Sequence, residues 1–417
     1  MNYDDIFDNL MYFKPYINKS SIQNHLQLMS KYPDFHQVYF KNRQENDNLD
    51  TVKNVCMTLT SGLKEEKISE NDLDELLFLS IEDKLFNSFL YNLENTNINF
   101  RDINSLYKVL ESWGTPQENK ILNGLASNPT FEKFVISGFR INGTDSIRLL
   151  LFDKELVELK EKNKDTEFAV YATLIEFDFR RNLLHIRLRD VDNIQNKSVD
   201  VRTMEGRVER TLRFISNLTP SIGYKKISYF RDSLFLLEEH VLQPKRDVAY
   251  SKLMDFQDHI DNFSALIDSN FPTQHENNVT TSNYVANTVL AIIASSLDLS
   301  QLGDVVGIKF RNQRTEDTNS FAEVAISDKA FKCISTDKLY WSNLSTLLEQ
   351  RKIEFLKIGT SLDLGFVDVN LELKLGTANV KLNQSSKGNP IEGNKQPSDE
   401  KYIDFIDYLL PFIKKND

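Results

Sequence analysis

The chain has 417 residues, 40% of them hydrophobic and 27% charged, which is ordinary globular usage and too long for a single core, so two to four domains of about 150 residues are expected. A formal net charge of −11 excludes a protein that coats nucleic acid over its whole surface. Two cysteines, Cys56 and Cys333, exclude a disulfide framework and, with six scattered histidines, a structural zinc site.

The opening MNYDDIFDNLMYF is acidic and lacks the basic start of a secretory signal, so a cytoplasmic location is expected. Residues 1–100 hold 16 acids and 9 bases, a net of −7. This region reads as helices, with candidates at Ser20–Ser30 and Asp50–Leu63. Ser69-Glu70-Asn71-Asp72 resembles a capping box before an apolar stripe of helical spacing, Leu73, Leu76, Leu77, Ile81, Leu85, Phe86, Phe89 and Leu93. Ile103–Trp113 is a further helix, stopped by Gly114-Thr115-Pro116.

The period changes near Phe131. Phe134–Ile141 and Ile147–Phe152 read as strands around an Asn-Gly turn. Tyr171–Phe179 alternates apolar and mixed residues, turns at Arg180-Arg181-Asn182, and returns with Leu184, Ile186 and Leu188 alternating with His185, Arg187 and Arg189. Helices are expected at Arg207–Leu218 and Tyr229–Leu242, then at Ser251–Asn270 and Ser282–Leu297, with a linker over Phe271–Thr281. The apolar run Val285–Leu297 is shorter than the roughly 20 residues a membrane-spanning helix needs. Beyond it come a hairpin (Val305–Phe310, Phe321–Ile326), a helix over Thr336–Arg351, strands at Glu354–Ile358 and Leu362–Leu375, a polar loop over Gln384–Glu400, and a last helix capped by Ser398. The predicted class is α+β: a helical domain over 1–130, a central domain of antiparallel hairpins and helices over 131–270, and a mixed C-terminal domain over 282–417.

Charge is unevenly placed. Residues 178–231 carry twelve bases against six acids, a net of +6, mostly arginine, whose planar fork suits phosphate and carboxylate. Arg180, Arg181, Arg187, Arg189, Arg202, Arg207, Arg210 and Arg213 are the candidate anion- or partner-binding residues. The competing expectation is that they pair with acids elsewhere on the same chain.

Catalytic signatures are sparse. No P-loop, dinucleotide fingerprint or nucleophile elbow occurs. Asp363 and Asp368 precede Glu372-Leu373-Lys374, a loose fit to the restriction-type (PD-(D/E)xK-like) nuclease core, in which carboxylates hold Mg²⁺ and a lysine assists water attack. An amphipathic strand explains the same letters. Arg180 and His185 fit the R-x4-H letters of HEPN-type ribonucleases, but their flanks alternate as strands where those enzymes use a helix. In layout alone the chain resembles uncharacterised proteins of bacterial defence islands and mobile elements. The expectation is a non-enzymatic binding or assembly component that needs no cofactor or metal and meets nucleic acid or another protein of the same system, with no membrane contact. Homo-oligomerisation is compatible with it. The alternative is a Mg²⁺-dependent nuclease.

Overall fold

The computed structural model describes residues 3–45, 50–94, 98, 100–123, 134–153, 156–160, 167–190, 194–195, 198–272, 279–293, 303–313, 321–383 and 397–414. Lys197, much of the expected linker (273–278), the end of the expected apolar helix (294–297) and most of the polar loop (384–396) lie outside these residues. Helices and antiparallel sheets make an α+β protein, as the patterning predicts. The chain forms two compact units, Met1–Lys225 and Lys226–Asp417. The three-domain division therefore needs revision at residue 131: the opening helices and the first hairpins share one core.

The first unit opens with α1 (Tyr3–Tyr12), α2 (Lys19–Leu28), α3 (Phe35–Glu45), α4 (Thr51–Lys64) and α5 (Glu70–Glu82). Asn18 and Asp50 cap α2 and α4 by accepting from the first free amides, and Ser69 with Asp72 closes the capping box of α5. The stripe expected to continue to Leu93 does not. Helix α5 ends at Glu82, and Asn87–Leu93 is strand β1. There Phe89 and Tyr91 alternate with Leu90 and Asn92 across two covered faces, so a short apolar run satisfies strand burial as well as helix burial.

The rest of this unit is α6 (Ile103–Ser112), β2 (Phe134–Asn142), β3 (Ser146–Asp153), β4 (Val157–Leu159), β5 (Glu167–Ala169), β6 (Ala172–Asp178), β7 (Leu183–Leu188), α7 (Val199–Arg202) and α8 (Met204–Ser216), with β8 (Tyr224–Lys226) at the boundary. The sheet runs β2-β3-β6-β7-β1, every neighbour antiparallel. One face carries Leu150, Phe152, Ala172 and Leu174 into a common core with Leu10, Phe13, Leu59 and Leu76 of the opening helices. The other face packs Phe177 against Trp113 and Phe134 against Phe214 of α8.

The second unit holds α9 (Phe230–Ser251), α10 (Gln257–Asn270), α11 (Thr281–Ile293), β9 (Asp304–Gln313), β10 (Phe321–Ser327), α12 (Lys338–Gln350), β11 (Phe355–Leu362), β12 (Gly365–Lys374), β13 (Thr377–Leu382) and α13 (Asp399–Ile413). Its sheet runs β10-β9-β11-β12-β13, again antiparallel. Helices α9 and α13 pack on β11 and β12, and α12 on β9; α11 lies against α12, and α10 against α11. Helix α9 continues through Pro244, past its expected end at Leu242. Among the described residues no helix is long and apolar enough to cross a membrane.

Candidate anion-binding site

His185 and Arg187 of β7 lie in a covered face of the first sheet. Arg148 on β3 stands opposite Glu176 on β6, which stands opposite His185 on β7. Helix α5 lies over this row. Arg148 donates from Nη1 to Glu82 and from Nε to Glu176, both at 2.9 Å. Arg187 is fully buried, donates from Nε to the Leu85 carbonyl at 3.1 Å, and lies 3.8 Å from Glu176. Arg181 is buried against Asp178 at 2.8 Å. His185 is fully enclosed, and burial, opposed by Asp178 and reinforced by nearby arginines, pulls it down to about 3, so it is neutral at physiological pH. The expected outward basic face is thus corrected for Arg181 and Arg187. Asp178, three residues away, meets Arg181, while the Leu85 and Glu82 carbonyls and Glu176 surround Arg187, as a buried cation requires.

Three of the eight arginines remain exposed: Arg180 at the β6–β7 turn, Arg202 ending α7, and Arg213 on α8, which pairs with Asp200 at 3.0 Å.

The other three gather. Helix α8 places Arg207 and Arg210 on its inner side, both over Asp153 at the end of β3. Arg207 Nη1 donates to Asp153 at 2.7 Å, and Arg210 also pairs with that carboxylate. The Arg207 guanidinium lies 3.1 Å from the Tyr171 ring centre, and that of Arg210 lies 4.4 Å from the Phe134 ring. Arg189 follows β7 directly; its guanidinium faces the Tyr16 ring at 5.8 Å, while its carbonyl accepts from the Tyr171 hydroxyl. Tyr16 accepts from the Ala172 amide at 2.9 Å. Burial raises both tyrosine hydroxyls, and the charges of Arg189 and Arg207 oppose that shift at each, which puts the four side chains in one neighbourhood. Burial lowers Lys84, and Arg189 lowers it further, so a fourth cation shares this field.

Among the described residues, compensation here is incomplete. Arg207 and Arg210 share one buried carboxylate. Among the described residues, Arg207 Nε and Nη2, Arg210 Nε and Arg189 Nη1 are enclosed and have no hydrogen-bond partner. Burial brings Arg207 and Arg210 each down to about 10, the direction of a cation whose desolvation outweighs its pairing. The second unit supplies the contrast. Arg246 is equally buried but donates twice to Glu238, at 2.7 and 2.6 Å, and once to the Tyr340 hydroxyl at 2.9 Å. Although burial lowers it, Tyr340 and Glu238 raise it above its ordinary value. The two arginine sites differ in whether acceptors are complete. An under-filled set of buried guanidinium donors beside tyrosines suits a phosphate or carboxylate.

No protein-family model matches this chain, and neither does any curated protein.

The proposed nuclease residues do not converge. Asp363 is exposed in the turn joining β11 to β12. Asp368 lies inside β12, 3.4 Å from Lys357, and accepts from Asn383 at 3.0 Å. Glu372 lies four residues further along the same strand, with Lys374 3.4 Å away at its end. At about 3.4 Å of rise per residue, Asp368 and Glu372 stand more than 10 Å apart along β12. Among the described residues, no three His, Cys, Asp or Glu side chains form a group able to hold a metal ion. A separate open cleft is lined by Asn71, Asp74, Glu75, Glu118 and Asn119, but Asp74 is engaged there by the Ile121 and Leu122 amides.

Sequence reasoning named Arg189, Arg207 and Arg210 but missed Tyr16, Lys84, Asp153 and Tyr171. These come from four separate elements or their ends, and nothing in their local sequence marks them. A partial signal was the i, i+3 spacing of Arg207 and Arg210 on a helix, which sets two cations side by side.

Proposed function

We propose that this chain is a non-enzymatic binding and assembly component whose first unit takes one small anion, or the terminal phosphate or carboxylate of a partner, at Arg189, Arg207 and Arg210. The reading rests on the enclosed guanidinium N–H groups that have no acceptor among the described residues. A buried polar donor left unpaired costs about 1–3 kcal/mol, and more when charged, so an anion that completes the set gains that energy. Because Arg207 and Arg210 are nearly inaccessible, the ligand is compact and enters singly. A continuous nucleic-acid backbone, by contrast, is gripped by many exposed cations at once.

Thermal denaturation in inorganic phosphate, at ionic strength held constant with chloride, tests the reading. Phosphate is expected to raise the transition of the first unit, approaching about 2.7 kcal/mol at a hundredfold excess over Kd. Arg207→Gln and Arg189→Gln are expected to abolish the dependence. A transition that phosphate leaves unmoved, or moves equally in both variants, rejects the site.

A further inference from the structure

A different surface lies on the second unit. From Leu253 to Ile308 the sequence contains no lysine or arginine, yet it holds Asp255, Asp258, Asp261 and Asp268 on or beside α10. Only Ile260 and Ser264 of that helix are buried. Met254, Phe256, Phe263, Leu266 and Phe271 are each 53–71% exposed. Phe263 and Leu266 are three apart on the helix and Phe256 is seven before Phe263, so these side chains share a flank beside the buried row. The five present roughly 500 Å² of apolar surface, within the size of a working patch on a monomer.

Two further carboxylates of α10, on its side away from Phe263 and Leu266, meet neutral partners. Asp261 accepts from Gln257 and Ser282, and Asp268 from Thr281. Their charge is therefore not neutralised by those contacts. A second copy of this chain is a poor occupant. An isologous contact would bring two such acidic rims together, and a stable dimer wants about 800 Å² per partner, more than this patch offers.

We propose that the α10 face docks a basic amphipathic segment of a protein partner, its apolar side on Phe256, Phe263 and Leu266 and its lysines or arginines over Asp255 and Asp258. The apolar contact holds the segment, and the carboxylates select its charge and orient it.

The probe is a fluorescent synthetic helix of leucine and lysine, compared with one of leucine and glutamate bearing the same apolar face, both followed by anisotropy with the full chain. The lysine helix is expected to bind, and the glutamate helix at least tenfold more weakly. Phe263→Ser with Leu266→Ser, and separately Asp255→Lys with Asp258→Lys, are each expected to weaken the lysine helix at least tenfold while leaving the thermal transition in place, since all four side chains lie outside the core. Absence of binding, equal affinity for the two helices, or affinity unchanged in either variant overturns the proposal. So does self-association of the chain that the serine variant abolishes, which would assign the face to a second copy.

Discussion

Asp153→Asn removes the carboxylate shared by Arg207 and Arg210 and leaves the shape of the site nearly intact. Asp153 is 4% exposed, and the two arginines are 2% and 6% exposed, so water does not replace the lost charge without local opening. Breaking a buried pair by deleting one partner costs about 3–5 kcal/mol, because the remaining cation stays desolvated. Here two guanidinium groups are left, which places the expectation in the upper part of that range. For a unit of this size each kcal/mol lowers Tm by about 2–4 °C, so a loss of about 4–5 kcal/mol should lower the transition by roughly 8–20 °C. The tryptophans separate the two units, since Trp113 belongs to the first and Trp341 to the second. Urea denaturation followed by Trp113 fluorescence in a Trp341→Phe background reads the first unit. Replacing Arg207 by Met in the Asp153→Asn chain should recover part of the loss, giving a coupling of about 1–3 kcal/mol. A loss under about 1 kcal/mol would refute the reasoning, because it would mean that the arginines are solvated.

In the second unit, Glu238→Gln should cost about 3–5 kcal/mol by stranding buried Arg246, seen as a lower urea midpoint at Trp341 that phosphate does not correct. The pH profile has two opposed parts. Burial keeps His185 neutral with its folded value depressed to about 3, so its contribution is present above its unfolded value near 6.5 and falls by about 1.4 kcal/mol per unit as pH drops from there toward 3. His185→Gln should flatten that acid limb in denaturation midpoints measured across pH. Burial raises Asp74 to about 6 despite two amide donors, so its contribution is greatest below its unfolded value near 3.8 and is lost as pH rises through 6; Asp74→Asn should flatten the loss between pH 4 and 6. Glu372→Ala removes only a half-exposed pair with Lys374 and should move the second unit's urea midpoint by the equivalent of less than about 1 kcal/mol.

Much of the architecture is legible in local patterns. The capping box of α5, the Asn-Gly turn between β2 and β3, and the alternation in β6 and β7 all correspond to elements that form where they are read. Errors arise where one pattern serves two structures. The Leu73–Leu93 stripe divides into α5 and β1, because apolar residues buried on both faces of a strand keep no distinctive period. The polar face of β7 is the larger error. A strand carrying His185 and Arg187 opposite leucines reads as half solvated, and only Glu82 of α5 and Glu176 of β6, placed there by tertiary folding, make it an interior face. Period alone reports that a face differs from its opposite; it does not report what covers it. The cluster of Arg189, Arg207 and Arg210 was recognisable as cationic, whereas Asp153, the carboxylate that Arg207 and Arg210 share, is more than thirty residues from the nearest of them in sequence.

On the proposed reading, an anion supplies the acceptors that the enclosed N–H groups of Arg189, Arg207 and Arg210 lack among the described residues. Equilibrium dialysis against labelled inorganic phosphate measures this directly. One phosphate bound per chain, displaced by sulfate and lost in Arg207→Gln with the fold retained, is the result expected. No bound phosphate in the native chain, or the same uptake in Arg207→Gln, would contradict it.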